Sequence, residues 1–120
     1  MKIKEQKYWI NILNNEYWVR IYVGEDVKYL EKVLLKHFEE RLYITEDDLK
    51  NIRGRCFHRV GFAPFIWINM SQCKTLNLLY ATLAHEGCHA VDYIFNKIGD
   101  NNRDELFAHS VGAIVRSYKL

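Results

Sequence analysis

The chain has 120 residues, with 17 Lys and Arg against 15 Asp and Glu, 49% hydrophobic residues, one Pro and six Gly. That is the composition of a single globular domain over residues 1–120, and it excludes a disordered tail or a collagen-like fibre. The formal charge of +2 is spread along the chain, leaving no basic footprint for counterion release, so no nucleic-acid partner is expected.

Apolar runs are short and broken by His, Glu, Asn or Arg, which predicts no membrane span and no secretory signal, hence a cytoplasmic protein. Cys56, Cys73 and Cys88 lack paired short spacing, which argues against a disulfide framework or a four-thiolate zinc knot. They are expected to be buried as small hydrophobes.

The segments Lys7 to Leu13 and Glu16 to Val23 are rich in Tyr, Trp, Ile and Val, with Asn14-Asn15 between them, and predict a β-hairpin. In its second strand Tyr17, Val19, Ile21 and Val23 share one face, and Trp18, Arg20 and Tyr22 share the other. Val27, Leu30, Val33, Leu34 and Phe38 recur at helical spacing between Glu25 and Glu39, as in a helix packed on a sheet. Thr45-Glu46-Asp47-Asp48 is expected to cap a short helical turn ending near Ile52.

Two strands follow, Arg55 to Val60 and Phe65 to Asn69, separated by a turn at Gly61 to Pro64. The density of Phe65, Ile66, Trp67 and Ile68 predicts a strand covered on both faces or bordering a cleft. A long helix runs from Thr75 to Asn96 and is closed by Gly99. A last helix runs from about Arg103 to Ser117, with Asn102 as its cap. The whole reads as an α+β domain with a small, mostly antiparallel sheet.

The long helix carries His85-Glu86-Gly87-Cys88-His89. Two histidines four apart project to one side of a helix, where both imidazoles can reach one zinc ion. Glu86 sits about 100° round the axis, free for proton transfer. Shuffling this composition yields about 0.015 such matches. The competing reading makes His85 and His89 hydrogen-bonded structural residues and Glu86 a surface acid.

A catalytic zinc site needs a third protein ligand and an open position. A third histidine at the metzincin spacing is absent, since Asp92 and Phe95 occupy those positions. Glu105 is favoured, because a helix returning antiparallel sets its first turns beside the last turns of the zinc helix. Its alternative is a capping box with Asn102. Asp104 points about 100° away from Glu105. His109, one turn beyond Glu105, is a candidate ligand or a donor to a tetrahedral intermediate. Asp92 can fix the tautomer of a ligating imidazole or remain a surface carboxylate. Gly87 suggests close packing or substrate approach. His37 and His58 are expected to be ordinary histidines, and Arg53, Arg55 and Arg59 a solvated face.

On these residues the chain resembles the small zincin-like metallopeptidase domains found in phage and prophage proteins, in the glutamate-ligand branch. The likeness runs from Leu83 to about Arg116, through Ala84-His85-Glu86, His89-Ala90-Val91-Asp92, Asp104-Glu105, Phe107-Ala108 and Gly112, with a weaker match at Ile66-Trp67-Ile68. His109 departs from it, standing where an aromatic residue is usual.

The resemblance implies zinc on His85, His89 and Glu105 and a general base at Glu86. It also implies a peptide or protein substrate paired along an edge strand, for which Phe65 to Asn69 is the candidate. The alternative function is a degenerate zincin-like module that binds zinc and serves interaction alone.

Overall fold

Alternating apolar residues build the first hairpin of the computed structural model, which describes residues 3–13, 16–39, 45–98 and 103–119. Strand β1 (Gln6–Ile12) pairs antiparallel with β2 (Tyr17–Gly24), in a register that sets Tyr8 opposite Ile21 and Ile10 opposite Val19. Helix α1 (Val27–Phe38) starts at Asp26, whose carboxylate accepts the Tyr29 backbone N–H at 3.2 Å, and ends at Glu39 with a left-handed φ of 52°. Helix α2 (Glu46–Asn51) opens on the expected reciprocal cap, with Thr45 N–H donating to Asp48 at 2.9 Å and Asp48 N–H to Thr45 at 3.1 Å. Strands β3 (Gly54–Phe57) and β4 (Phe65–Asn69) follow, then α3 (Leu76–Ile98) and α4 (Arg103–Ser117). The Asn14-Asn15 turn, the Gly99 closure and the Asn102 cap fall outside the described residues, as does the side chain of Asp104.

The described residues form a compact α+β fold with one mixed sheet in the order β1-β2-β4-β3. Two of its strand pairs are antiparallel, and the central β2–β4 pair is parallel, with Arg20 opposite Phe65 and Val23 opposite Ile68. One expectation is overturned here. Phe65 to Asn69 is no edge, because β4 is paired on both sides and all five of its residues are buried. On one face Ile66 and Ile68 join Val19, Ile21, Leu79, Leu83, Ala90 and Ile114 under α3 and α4. On the other, Phe65 and Trp67 join Tyr22, Leu30, Leu34 and Phe38 under α1. Each large apolar side chain so buried contributes about 1.5–3 kcal/mol, which fixes β4 at the centre. The edge beside α3 is β3.

Beyond the reach of α1, the hairpin exposes Trp9 and Trp18, 51% and 50% accessible and stacked edge to face at 6.2 Å. The Arg20 guanidinium lies 5.4 Å from the Trp9 ring. Among the described residues, no helix is long and apolar enough to cross a membrane.

Candidate metal centre

Helix α3 is amphipathic around a polar stripe. Its apolar residues Leu79, Leu83, Ala90 and Ile94 face the sheet, while His85 and His89 are exposed, with ring centroids 4.9 Å apart. The 3.6-residue repeat turns Glu86 out of that stripe and toward β3, where it is 7% accessible. One ligand atom each from His85, Glu86 and His89 can be chosen so that all lie within 4.8 Å of one another. Among the described residues these are the only His, Cys, Asp and Glu side chains that gather in this way. Two imidazoles and a carboxylate at such spacing are a donor set suited to a divalent transition metal.

Close approach of β3 makes this arrangement possible. A Cβ on Gly54 would stand 2.8 Å from Thr82 Cγ2, 3.0 Å from the Trp67 carbonyl oxygen and 3.2 Å from Glu86 Cγ, so only glycine fits there. Asn69 N–H donates to the Arg53 carbonyl at 2.8 Å. In the antiparallel register that continues from this bond, Arg55 and Phe57 turn their backbone groups toward β4, and Gly54 and Cys56 turn theirs to the open edge. The Cys56 backbone N–H accordingly interacts with the Glu86 carboxylate.

Burial raises the Glu86 pKa above the usual carboxylate range, opposed by the two histidines, the Cys56 N–H and Arg55. The Cys56 thiol is pushed up to about 12 by burial and by Glu86, so at neutral pH it is neither thiolate nucleophile nor ready metal ligand. A cleft of about 590 Å³ runs from His85 and Glu86 toward the start of α3, between Leu78, Ala81 and Thr82 on the helix and Arg53 and Gly54 at the entry to β3.

The remaining candidates lie elsewhere. Gly87 packs against α4, since a Cβ there would meet Ile114 Cγ2 at 3.2 Å, and Phe95 meets Phe107 at 5.9 Å between ring centroids. Gly87 is about 200° round the helix from His85, so α4 covers a different face of α3 from the one that carries the histidines. Glu105, exposed on the first turn of α4, is not gathered with His85 and His89. His109 lines a separate cleft with Asn11, Leu13 and Ser110.

Asp92 accepts from the Asn96 amide at 3.4 Å. His58 stacks on Tyr93 at 4.6 Å and His37 lies on α1, both outside the cluster. Arg59 reaches the Phe38 carbonyl and Glu39 instead of standing free. Cys73 is buried and Cys56 partly so, but Cys88 is exposed, contrary to expectation, because it falls near the histidine stripe of α3. Sequence reasoning missed the structural role of Gly54, whose only signal was a glycine at the start of an extended stretch, and the placement of Thr82 and Tyr93 beside the site.

Comparison with protein-family models, with curated proteins and with solved structures gave no match to this chain.

Proposed function

We propose that the protein is a zincin-like, zinc-dependent peptidase acting in the cytoplasm on peptide or protein substrates. The observation that carries this reading is the gathering of His85, Glu86 and His89 within 4.8 Å beside the open edge of β3. His85 and His89 hold the metal through neutral imidazoles. Bound zinc supplies a Lewis acid that polarises the scissile carbonyl and makes water a competent nucleophile near neutral pH.

Glu86 takes a proton from the attacking water and returns it to the leaving amine. The outward backbone groups of Gly54 and the outward carbonyl of Cys56 offer an extended substrate main-chain hydrogen bonds. This is the part first expected of Phe65 to Asn69. Glu105, on the first turn of α4, is the proposed third ligand. His109 has no part in this reading.

A second reading, a zinc-binding interaction module, is favoured by one observation: Glu86 stands inside the donor cluster and Glu105 outside it. Glu86 then completes the ligand set and no base remains. Zinc stoichiometry and cleavage of unfolded casein by zinc-loaded protein, with Glu86→Gln as control, separate the two. A peptidase keeps one zinc per chain in the variant and loses hydrolysis by roughly 100-fold or more. In the module, wild type cleaves nothing and the variant binds zinc more weakly.

A further inference from the structure

A second cleft, of about 210 Å³, lies beyond His89 on the other side of the histidine pair. Its walls are Tyr17, Trp18, Phe62, Pro64 and Tyr93, with Ala63 at its side. Four of these are aromatic rings, and Trp18 is half exposed at the rim. The chain from the start of β3 through the connection to β4 borders both clefts. Gly54 lines the first, and His58, one residue past the strand, stacks on Tyr93, which lines the second.

Distances along α3 set the scale. Tyr93 lies about six residues beyond the midpoint of His85 and His89, and the Leu78 to Thr82 segment about seven before it, or roughly 10 Å each way at 1.5 Å per residue. An extended peptide advances about 3.3 Å per residue, so each interval spans about three substrate residues. Pairing antiparallel to β3 points the substrate's N-terminal side at the aromatic cleft and its C-terminal side at the cleft bordered by Arg53.

Resting on the peptidase reading, we infer that the site takes an internal stretch of about six extended residues and selects an aromatic or large aliphatic side chain roughly three residues before the cleaved bond. It is an endopeptidase site, since a chain end would leave one of the two clefts unfilled. Among the described residues the aromatic cleft is lined by one carboxylate, Glu16, and by no cation, so it favours an apolar side chain over an acidic one.

The test uses two fluorescently labelled eight-residue peptides that differ only in Phe or Asp at that position. Their affinity for the full-length Glu86→Gln protein is read by anisotropy, which needs no turnover. The Phe peptide is expected to bind about 10-fold or more tightly. Trp18→Ala, which strips the rim, and Ala63→Trp, which fills the cleft from the side, should each bring the two peptides to near parity. Leu35→Ala, on α1 and equally exposed but outside the cleft, should leave the preference intact.

Mass spectrometry of wild-type digests should show internal cleavage. Equal affinity for the two peptides, a preference that survives both cleft variants, or release of single residues from peptide ends would overturn the inference. A clear binding preference without any cleavage by zinc-loaded wild type upholds the cleft assignment and removes the peptidase reading, so the two failures are distinct.

Discussion

Adding a single methyl group at Gly54 tests the close approach of β3 to α3 directly. In Gly54→Ala the new Cβ would lie 2.8 Å from Thr82 Cγ2 and 3.0 Å from the Trp67 carbonyl oxygen, roughly 0.8 Å and 0.4 Å inside comfortable contact. The Trp67 carbonyl belongs to the central strand and cannot yield. Thr82 can rotate only by giving up the bond from its hydroxyl to the Leu78 carbonyl at 2.8 Å. Strand β3 must therefore shift outward, carrying the Cys56 N–H away from Glu86.

Overpacking of this kind costs about 1–3 kcal/mol. For a chain of this size that lowers the melting temperature by roughly 3–6 °C per kcal/mol. Thr82→Ser removes the offending methyl and keeps the hydroxyl, so the double variant should recover about half of the loss, the contact with Trp67 remaining. Thermal melts of the two single variants and the double variant form the cycle. A Gly54→Ala protein that melts within about 1 °C of wild type, or a cycle with no coupling, would refute the argument.

Further expectations concern other parts of the molecule. Replacing His85 or His89 with Ala should abolish tight zinc binding measured by dialysis and elemental analysis, whereas His37→Ala on α1 should retain it. Glu105→Ala should weaken zinc if the proposed third ligand is correct; unchanged affinity would assign Glu105 to the surface. Burial raises the Tyr8 phenol from 10.0 to about 12, so its contribution is complete below pH 10 and is lost as pH climbs toward 12, on the order of 2 kcal/mol. Tyr8→Phe should flatten that alkaline decline in denaturant titrations. Trp67→Phe removes the bond from Nε1 to the Gly24 carbonyl at 2.9 Å and leaves a void at the centre of the sheet, which should cost about 2–4 kcal/mol by urea unfolding.

Local signals in the sequence carried far, and long-range ones did not. The bounds of β4 and α4, the amphipathic α1 and the Thr45–Asp48 cap all follow from spacing within a few residues. The same is true of His85, Glu86 and His89, whose juxtaposition is fixed by one turn of helix. The neighbours of a strand are another matter. An apolar run such as Phe65 to Asn69 announces two covered faces but says nothing of who pairs with its edges, and here β2 and β3 take both. Glu105 depends in the same way on how α4 docks. Gly87 against Ile114 and Phe95 against Phe107 settle that docking, and no periodicity within either helix encodes it.

The parallel insertion of β4 beside β2 also sets an order of assembly. Arg20 and Phe65, paired across that junction, are about 45 residues apart, whereas the β1–β2 hairpin and the α3–α4 pair close over short loops. Hairpin and helix pair can thus form early and separately, while β3 reaches the sheet only through β4. The wall that holds Glu86 is consequently among the last parts of the molecule to arrive. A partly folded chain can present its two histidines long before the cleft beside them exists, so on the proposed peptidase reading the loading of an ion and the completion of the site become separable events in the life of each molecule.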